Sequence, residues 1–213
     1  HPDLAPELQQ EMPRTAPGCL GRALARRRAA GVPPFTILSC DNLPENGALV
    51  RQIVLDFAHL IDPTLAQWIG ENGRFPATMV DRITPATTSA DIARVTAVTG
   101  LFDSAPVLHE PFRQWVIEDN FVNGLRPDFA AVGVRMVDDV TSFEQMKLRM
   151  LNGSHSALAY LGYLAGHETI SDTVADPAFA AYVRQLWAEI MPVVRAPQGF
   201  DLQVYAQALM ERF

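Results

Sequence analysis

Phe35-Thr36-Ile37-Leu38-Ser39-Cys40 is a short apolar, β-rich run, with Gly31, Pro33 and Pro34 before it and a polar loop at 41–45 after it. Apolar residues at almost every position, rather than at every second one, read as a strand buried on both faces, the kind found in parallel sheets. The segments around it alternate accordingly. Residues 18–30 read as a helix whose Arg26-Arg27-Arg28 sit at its negative C-terminal end, and Gly31 stops it. Asn46 is expected to cap a helix running to about Ile61, and Asp62-Pro63 opens another to Ile69. Residues 77–80 form a second strand candidate, and Ser89 is expected to cap a helix through Thr99 that Gly100 closes. Strand patterns return at Trp115-Val116-Ile117 and at 132–137.

Beyond residue 140 the strand signals stop. Ser142 with Gln145 has capping-box spacing for the longest helix, expected over 143–165, and Asp176-Pro177 and Asp201 open two more. In the first 17 residues Pro2, Pro6, Pro13 and Pro17 punctuate a polar stretch, giving a short helix and a loop. The expectation is an α/β part over 1–139 and an all-helical part over 140–213.

Composition narrows the function. The 213 residues carry 17 Lys and Arg against 24 Asp and Glu, a formal charge of −7. An acidic balance argues against nucleic acid or an anionic membrane as main partner. Hydrophobic residues make up 48% and charged residues 19%, which is enough apolar material for a substantial core. No apolar run approaches the roughly 20 residues of a membrane helix. Two cysteines, Cys19 and Cys40, fit a reducing compartment, and the absence of a charged-then-apolar leader fits a cytoplasmic protein. The chain begins at His1 rather than Met, so processing, tagging or origin as a fragment is expected.

Several chemistries lack their motifs. The sequence contains no G-x-G-x-x-G, no G-x-x-x-x-G-K-[ST] and no G-x-S-x-G. His59, His109, His155 and His167 lack H-E-x-x-H spacing, and the two cysteines stand too far apart for a metal knuckle. What remains is polar residues in suggestive places. On an ideal helix at about 100° per residue, Glu144, Lys147, Asn152 and His155 fall within an arc of about 140°, and Lys147 and His155 lie about 12 Å apart along the axis. Cys40-Asp41-Asn42 follows the first strand candidate and Asp81-Arg82 the second, and ligands of open parallel sheets gather beyond strand C-termini. Taken singly, each has a plainer reading. Lys147 is then a solvated lysine, Asn152-Gly153 a mild helix irregularity, and the two corners ordinary turns.

Taken together, four segments resemble the long-chain polyol dehydrogenase family, which includes mannitol 2-dehydrogenases and fructuronate (mannonate) reductases. They are Ser39-Cys40-Asp41-Asn42-Leu43 with Glu45-Asn46-Gly47; Phe75-Pro76 through Met79-Val80-Asp81-Arg82-Ile83; Glu110-Pro111-Phe112 through Gln114-Trp115-Val116-Ile117-Glu118-Asp119; and Met146-Lys147-Leu148-Arg149 through Leu151-Asn152-Gly153-Ser154-His155. The last is the family's K-x4-N-x2-H signature. The resemblance implies the C-terminal portion of a Rossmann-like domain followed by a helical substrate domain. It also implies an upstream glycine-rich half, a downstream substrate-binding segment, and members about twice this length. One departure is Gly124-Leu125-Arg126-Pro127, which carries an extra Leu relative to the usual G-R-P.

The implied activity is secondary-alcohol oxidation by NAD, or by NADP, on a polyol or sugar acid, without metal. Lys147 would be the general base, Asn42 and Asn152 an oxyanion hole, and His155 the residue that orients substrate. Glu144 would sit beside Lys147 at the mouth of a proton path, and Asp81 in the active-site wall. Physical chemistry agrees with these roles. A lysine acts as base near neutrality only when desolvation disfavours its charged form, to which Met146, Leu148 and Leu151 would contribute. Neutral amides stabilise developing negative charge without a permanent ion pair. Residues 120–124, and 146–155 followed by Ser156, lean toward the mannonate branch. The other reading is a non-catalytic scaffold or interaction module that keeps the fold.

Overall fold

The computed structural model describes residues 13–213; the short helix expected in the N-terminal stretch falls mainly outside them. It divides after Val137 into two compact units, the second being Asp138–Phe213. The sequence reading places the change of composition at 139–140.

In the first unit, helices α1 (Ala16–Ala29), α2 (Asn46–Ile61) and α3 (Pro63–Asn72) precede strand β1 (Thr78–Asp81). Helix α4 (Ser89–Thr99), β2 (Gln114–Glu118) and β3 (Arg135–Val137) follow. Asp62 caps α3 by accepting from the Thr64 N–H at 2.8 Å. Thr88, rather than Ser89, caps α4 in a full capping box with Asp91. The core joins α1, α2 and α3 through Leu24, Val54, Ala58, Leu65 and Ile69, with Ile37 and Phe75 packed alongside.

The sheet differs from the expected parallel one. It has three strands in the order β1-β2-β3, the first pair antiparallel and the second parallel. Residues 35–40 are extended but are not part of it. Single bonds to neighbouring segments, rather than a ladder, tie them in. The Thr78 hydroxyl donates to the Ser39 carbonyl at 2.7 Å, and the Ile37 N–H reaches the Arg74 carbonyl at 3.1 Å. The Thr36 hydroxyl accepts from the Val122 N–H at 2.9 Å. The candidate at 132–137 shortens to β3, preceded by a 3₁₀ turn at Phe129–Val132.

The second unit is helical: α5 (Thr141–Met146), α6 (Gly153–Ala165), α7 (Ile170–Ala175), α8 (Pro177–Ile190) and α9 (Leu202–Arg212). Its core includes Met146, Met150, Leu158, Val183, Trp187 and Leu209. The expected Ser142–Gln145 capping box does not form. The chain enters α5 at Thr141, and the Asp139 carboxylate accepts from the Thr141 N–H at 2.9 Å and from its hydroxyl at 2.6 Å. Nor is the long helix regular. Between α5 and α6, residues Lys147–Asn152 form a π-helical turn. No described helix is long and apolar enough to cross a membrane.

Candidate active site

The first unit carries Asn42 and Asp81 at very different depths. Asn42 lies in an exposed bend between the extended segment and α2. Asp81 is not a turn residue: it is the last residue of β1, opposite Gln114 of β2, and only 3% exposed. The turn assigned to Asp81-Arg82 from sequence is therefore corrected. A buried carboxylate in a ladder position must be held by its surroundings, which is a stronger constraint than a turn imposes.

What fixes the Asn42 loop is a residue assigned another job from the sequence. Asn46 does not cap α2: the cap position is Glu45, in the left-handed region at φ 51°, and no side chain closes the helix start. The Asn46 side chain turns inward instead and is 1% exposed. Its Nδ2 donates toward the Asp41 carbonyl at 2.9 Å and toward the Thr78 carbonyl and hydroxyl at 3.0 Å. Its Oδ1 accepts from the Thr78 N–H at 2.9 Å. One carboxamide thus pairs with the backbone on either side, where a strand would have used a ladder. Gly47 permits the approach. A Cβ there would stand 2.5 Å from the Phe75 carbonyl oxygen and 2.8 Å from the Ala77 nitrogen. Beside this loop lies a cavity of about 210 Å³, with Leu20, Leu43 and Ile53 on its apolar side and Ser39, Asp41 and Asn46 on its polar side. Partial desolvation and the Asp41 carboxylate push the Cys40 thiol up, which keeps it neutral rather than nucleophilic.

The second unit holds the other four candidates on one helical stretch. Lys147 is 7% exposed and Glu144 8%, so the solvated-lysine reading fails. Met146, at 0%, and Leu151, at 5%, are part of the apolar packing, whereas Leu148, at 36%, faces outward and supplies none of the expected desolvation. Asn152 is half-buried and His155 exposed. His155 has the Phe213 ring 6.2 Å away.

The π turn changes how these residues are disposed. An α-helix at about 100° per residue would set Lys147 and Asn152 about 140° apart. A π turn closes i→i+5, as in the Gly153 N–H that reaches the Leu148 carbonyl. A π turn takes more residues per turn than an α-helix, so five residues overshoot one turn by less, which narrows the angle between Lys147 and Asn152. The stretch read from sequence as a mild irregularity is the geometry that draws a buried amine and a carboxamide toward one face. Two residues given no role from the sequence, Ser154 and Trp187, attach to this same turn. No periodicity signals either, because both read as ordinary core positions.

Among the described residues no group of three or more His, Cys, Asp or Glu could hold a metal ion. The second unit's helical stretch carries a lysine amine, a carboxamide and an imidazole. Groups of these types can take a proton and hold an alcohol oxygen.

Known proteins resemble this chain over its whole length. The chain is 53% identical over 203 residues to the D-mannonate oxidoreductase of Escherichia coli K12, covering 94% of this chain and 41% of that protein. It is 46% identical over 220 residues to a mannitol 2-dehydrogenase of Aspergillus fumigatus, covering 100% and 44%. A solved Pseudomonas fluorescens mannitol 2-dehydrogenase, in ternary complex with NAD and D-mannitol, superposes with a TM-score of 0.87 at 45% identity, covering 100% of this chain and 43% of that one. The chain therefore spans less than half the length of these relatives. The mannitol dehydrogenase Rossmann-domain model matches residues 7–130 and the mannitol dehydrogenase C-terminal-domain model matches 139–213. With a Rossmann-like part followed by a helical part, both matched in order, the chain belongs to the mannitol dehydrogenase family.

Proposed function

We propose that this chain is part of an NAD-dependent dehydrogenase that interconverts a secondary alcohol of a polyol or sugar acid and its 2-ketose, either mannitol and fructose or mannonate and fructuronate. NADP is the alternative cofactor, and the proposed location is the cytoplasm. Residues 1–139 are read as the C-terminal portion of a Rossmann-like domain and 140–213 as the helical catalytic domain. The observation that carries the proposal is the buried Lys147 with Asn152 at the two ends of one π turn, in a family whose named members act on mannitol and mannonate.

In the forward direction Lys147 Nζ takes the proton of the substrate hydroxyl while the carbinol C–H leaves as hydride. NAD, when bound, supplies the acceptor for that hydride. The Asn152 carboxamide donates to the oxygen as negative charge grows on it, a stabilisation larger in the transition state than before it. His155 orients the neighbouring hydroxyls, and Glu144, buried one turn before Lys147, passes the proton on. For the first unit, the same reading gives Asn42 the part of a second amide donor and Asp81 a place in the wall. Burial of Lys147 supports a base role because desolvation disfavours the charged ammonium.

Lys147→Ala tests the reading in the protein expressed from its complete reading frame. Removing a general base costs on the order of 10²–10⁴ in rate, so kcat should fall by that factor while the KM for the alcohol changes little. Calorimetry with NADH should show that the variant still binds cofactor. Near-normal oxidation by Lys147→Ala would refute the mechanism, and absence of NADH binding by the unmutated protein would favour the scaffold reading.

A further inference from the structure

The π turn has a visible support. The Met150 carbonyl lies inside it, and two side-chain donors converge on that oxygen: the Ser154 hydroxyl, and Trp187 Nε1 from α8 at 3.0 Å. The Ser154 hydroxyl also lies 3.2 Å from the Leu151 carbonyl. Ser154 and Met150 are 0% exposed and Trp187 is 2% exposed, so water does not compete for these bonds. A carbonyl oxygen has two lone pairs. Two side-chain donors therefore compete with the i+4 amide that a regular α-helix would bring to it. Serine bonding back to i−4 is a known means of deforming a helix. Arg149 makes a separate tie, its Nη1 donating to the Val193 carbonyl at 2.5 Å.

We infer that Ser154 and Trp187 are positioning residues for the dehydrogenase reaction: by holding the Met150 carbonyl they keep the i→i+5 turn that has Lys147 at one end and Asn152 at the other. This rests on the catalytic reading proposed above. Neither side chain touches substrate in this account. Both act through the backbone between the base and the amide, where a displacement of about 1 Å can cost on the order of 10² in rate. Trp187 suits the task because its indole N–H is donor only and its rings are packed in the core, with the Phe213 ring stacked 6.4 Å away.

The test uses Ser154→Ala, Trp187→Phe and their combination in the protein expressed from its complete reading frame, with Lys147→Ala alongside. Thr173→Val is the control. It deletes another buried hydroxyl of this unit, one that donates to the Thr169 carbonyl and lies outside the turn. The combined variant should lose about 10-fold or more in kcat, with the KM for the alcohol within about threefold, while the control keeps kcat within about twofold. Amide hydrogen exchange over residues 147–155 should accelerate in both single variants and not in the control. If the combined variant does not fold, the same two measurements on Trp187→Phe, which keeps an aromatic ring in the core, decide the matter. Unchanged kcat and unchanged exchange would overturn the inference. If those are unchanged while Lys147→Ala is inactive, the positioning role fails and the base assignment stands. If Lys147→Ala is active, the catalytic reading itself fails.

Discussion

Asn46→Ala is the perturbation that most directly probes how the Asn42 loop is held. The substitution removes one acceptor and one NH₂ group from a site 1% exposed to solvent. It leaves the Thr78 N–H, whose partner was Asn46 Oδ1 at 2.9 Å, without that bond, and strips the Asp41 and Thr78 carbonyls of a donor. An orphaned buried donor costs about 1–3 kcal/mol, and carbonyls with a second lone pair cost less. Allowing for non-additivity, the loss should be about 3–5 kcal/mol against a total of roughly 5–15 kcal/mol for a folded domain. At about 2–4 °C per kcal/mol for a chain of this size, the melting temperature should drop by on the order of 10 °C. Urea unfolding followed by tryptophan fluorescence measures the first quantity, and exchange of the Thr78 amide localises it. Asn46→Asp sharpens the test. A carboxylate can still accept from the Thr78 N–H but offers nothing to the two carbonyls. Burial and those carbonyls favour its protonated form, so the penalty should be greatest at neutral pH and shrink as pH falls toward the carboxylate range. A loss under about 1 kcal/mol for Asn46→Ala would mean that the carboxamide is ordinary and the loop is held by something else.

Gly47→Ala should destabilise by about 1–3 kcal/mol, because the added Cβ meets the Phe75 oxygen at 2.5 Å and the Ala77 nitrogen at 2.8 Å, both backbone, so α2 itself must shift; thermal unfolding reads this. The Thr141 hydroxyl and amide hold the Asp139 carboxyl below the usual carboxylate range. A group whose folded pKa is depressed contributes stability above its unfolded pKa and loses it as pH falls. Asp139→Asn should therefore lower stability at pH 7 and flatten the loss that sets in as pH falls through the ordinary carboxylate range and below it, as followed by acid unfolding. Activity should survive prolonged incubation with EDTA, and loss restored by zinc would replace the lysine-base mechanism. Oxidation by the unmutated enzyme should slow as pH falls and Lys147 becomes protonated, and a pH–rate profile of kcat checks this.

Several helix starts were legible because chemistry constrains them locally. Asp62, Asp176 and Asp201 accept from N–H groups two residues on, and short-range geometry of that kind can be read from neighbouring letters. The same locality misleads at Asn46 and Ser142. Each sits where a cap belongs, yet Asn46 bonds to Thr78, 32 residues away, and the entry to α5 is held by Asp139. Residues 35–40 mislead for a related reason. Their apolar character suggests burial on both faces, but only Ile37 is buried. Strand pairing depends on what lies alongside: there the Thr78 hydroxyl bonds the Ser39 carbonyl and the Arg74 carbonyl the Ile37 N–H.

The π turn lay beyond sequence reading for a different reason. Its apolar pattern is compatible with an ordinary amphipathic helix: Met146, Met150 and Leu151, then Ser154 and Leu158, are buried in steps of three and four. The inward face is broad, with buried residues in the pairs Phe143 and Glu144, Met146 and Lys147, and Met150 and Leu151. The first of these lies in regular α-helix, so the pairing alone does not mark the turn. What widens it acts from outside the helix. Trp187 lies 37 residues from Met150 and donates to a carbonyl, a group every residue carries and no letter marks. The spacing of Lys147, Asn152 and His155 can therefore be read as a signature while the reason it works stays hidden. On a regular helix those residues would spread over a broad arc, and it is the backbone bond pattern between them that narrows it.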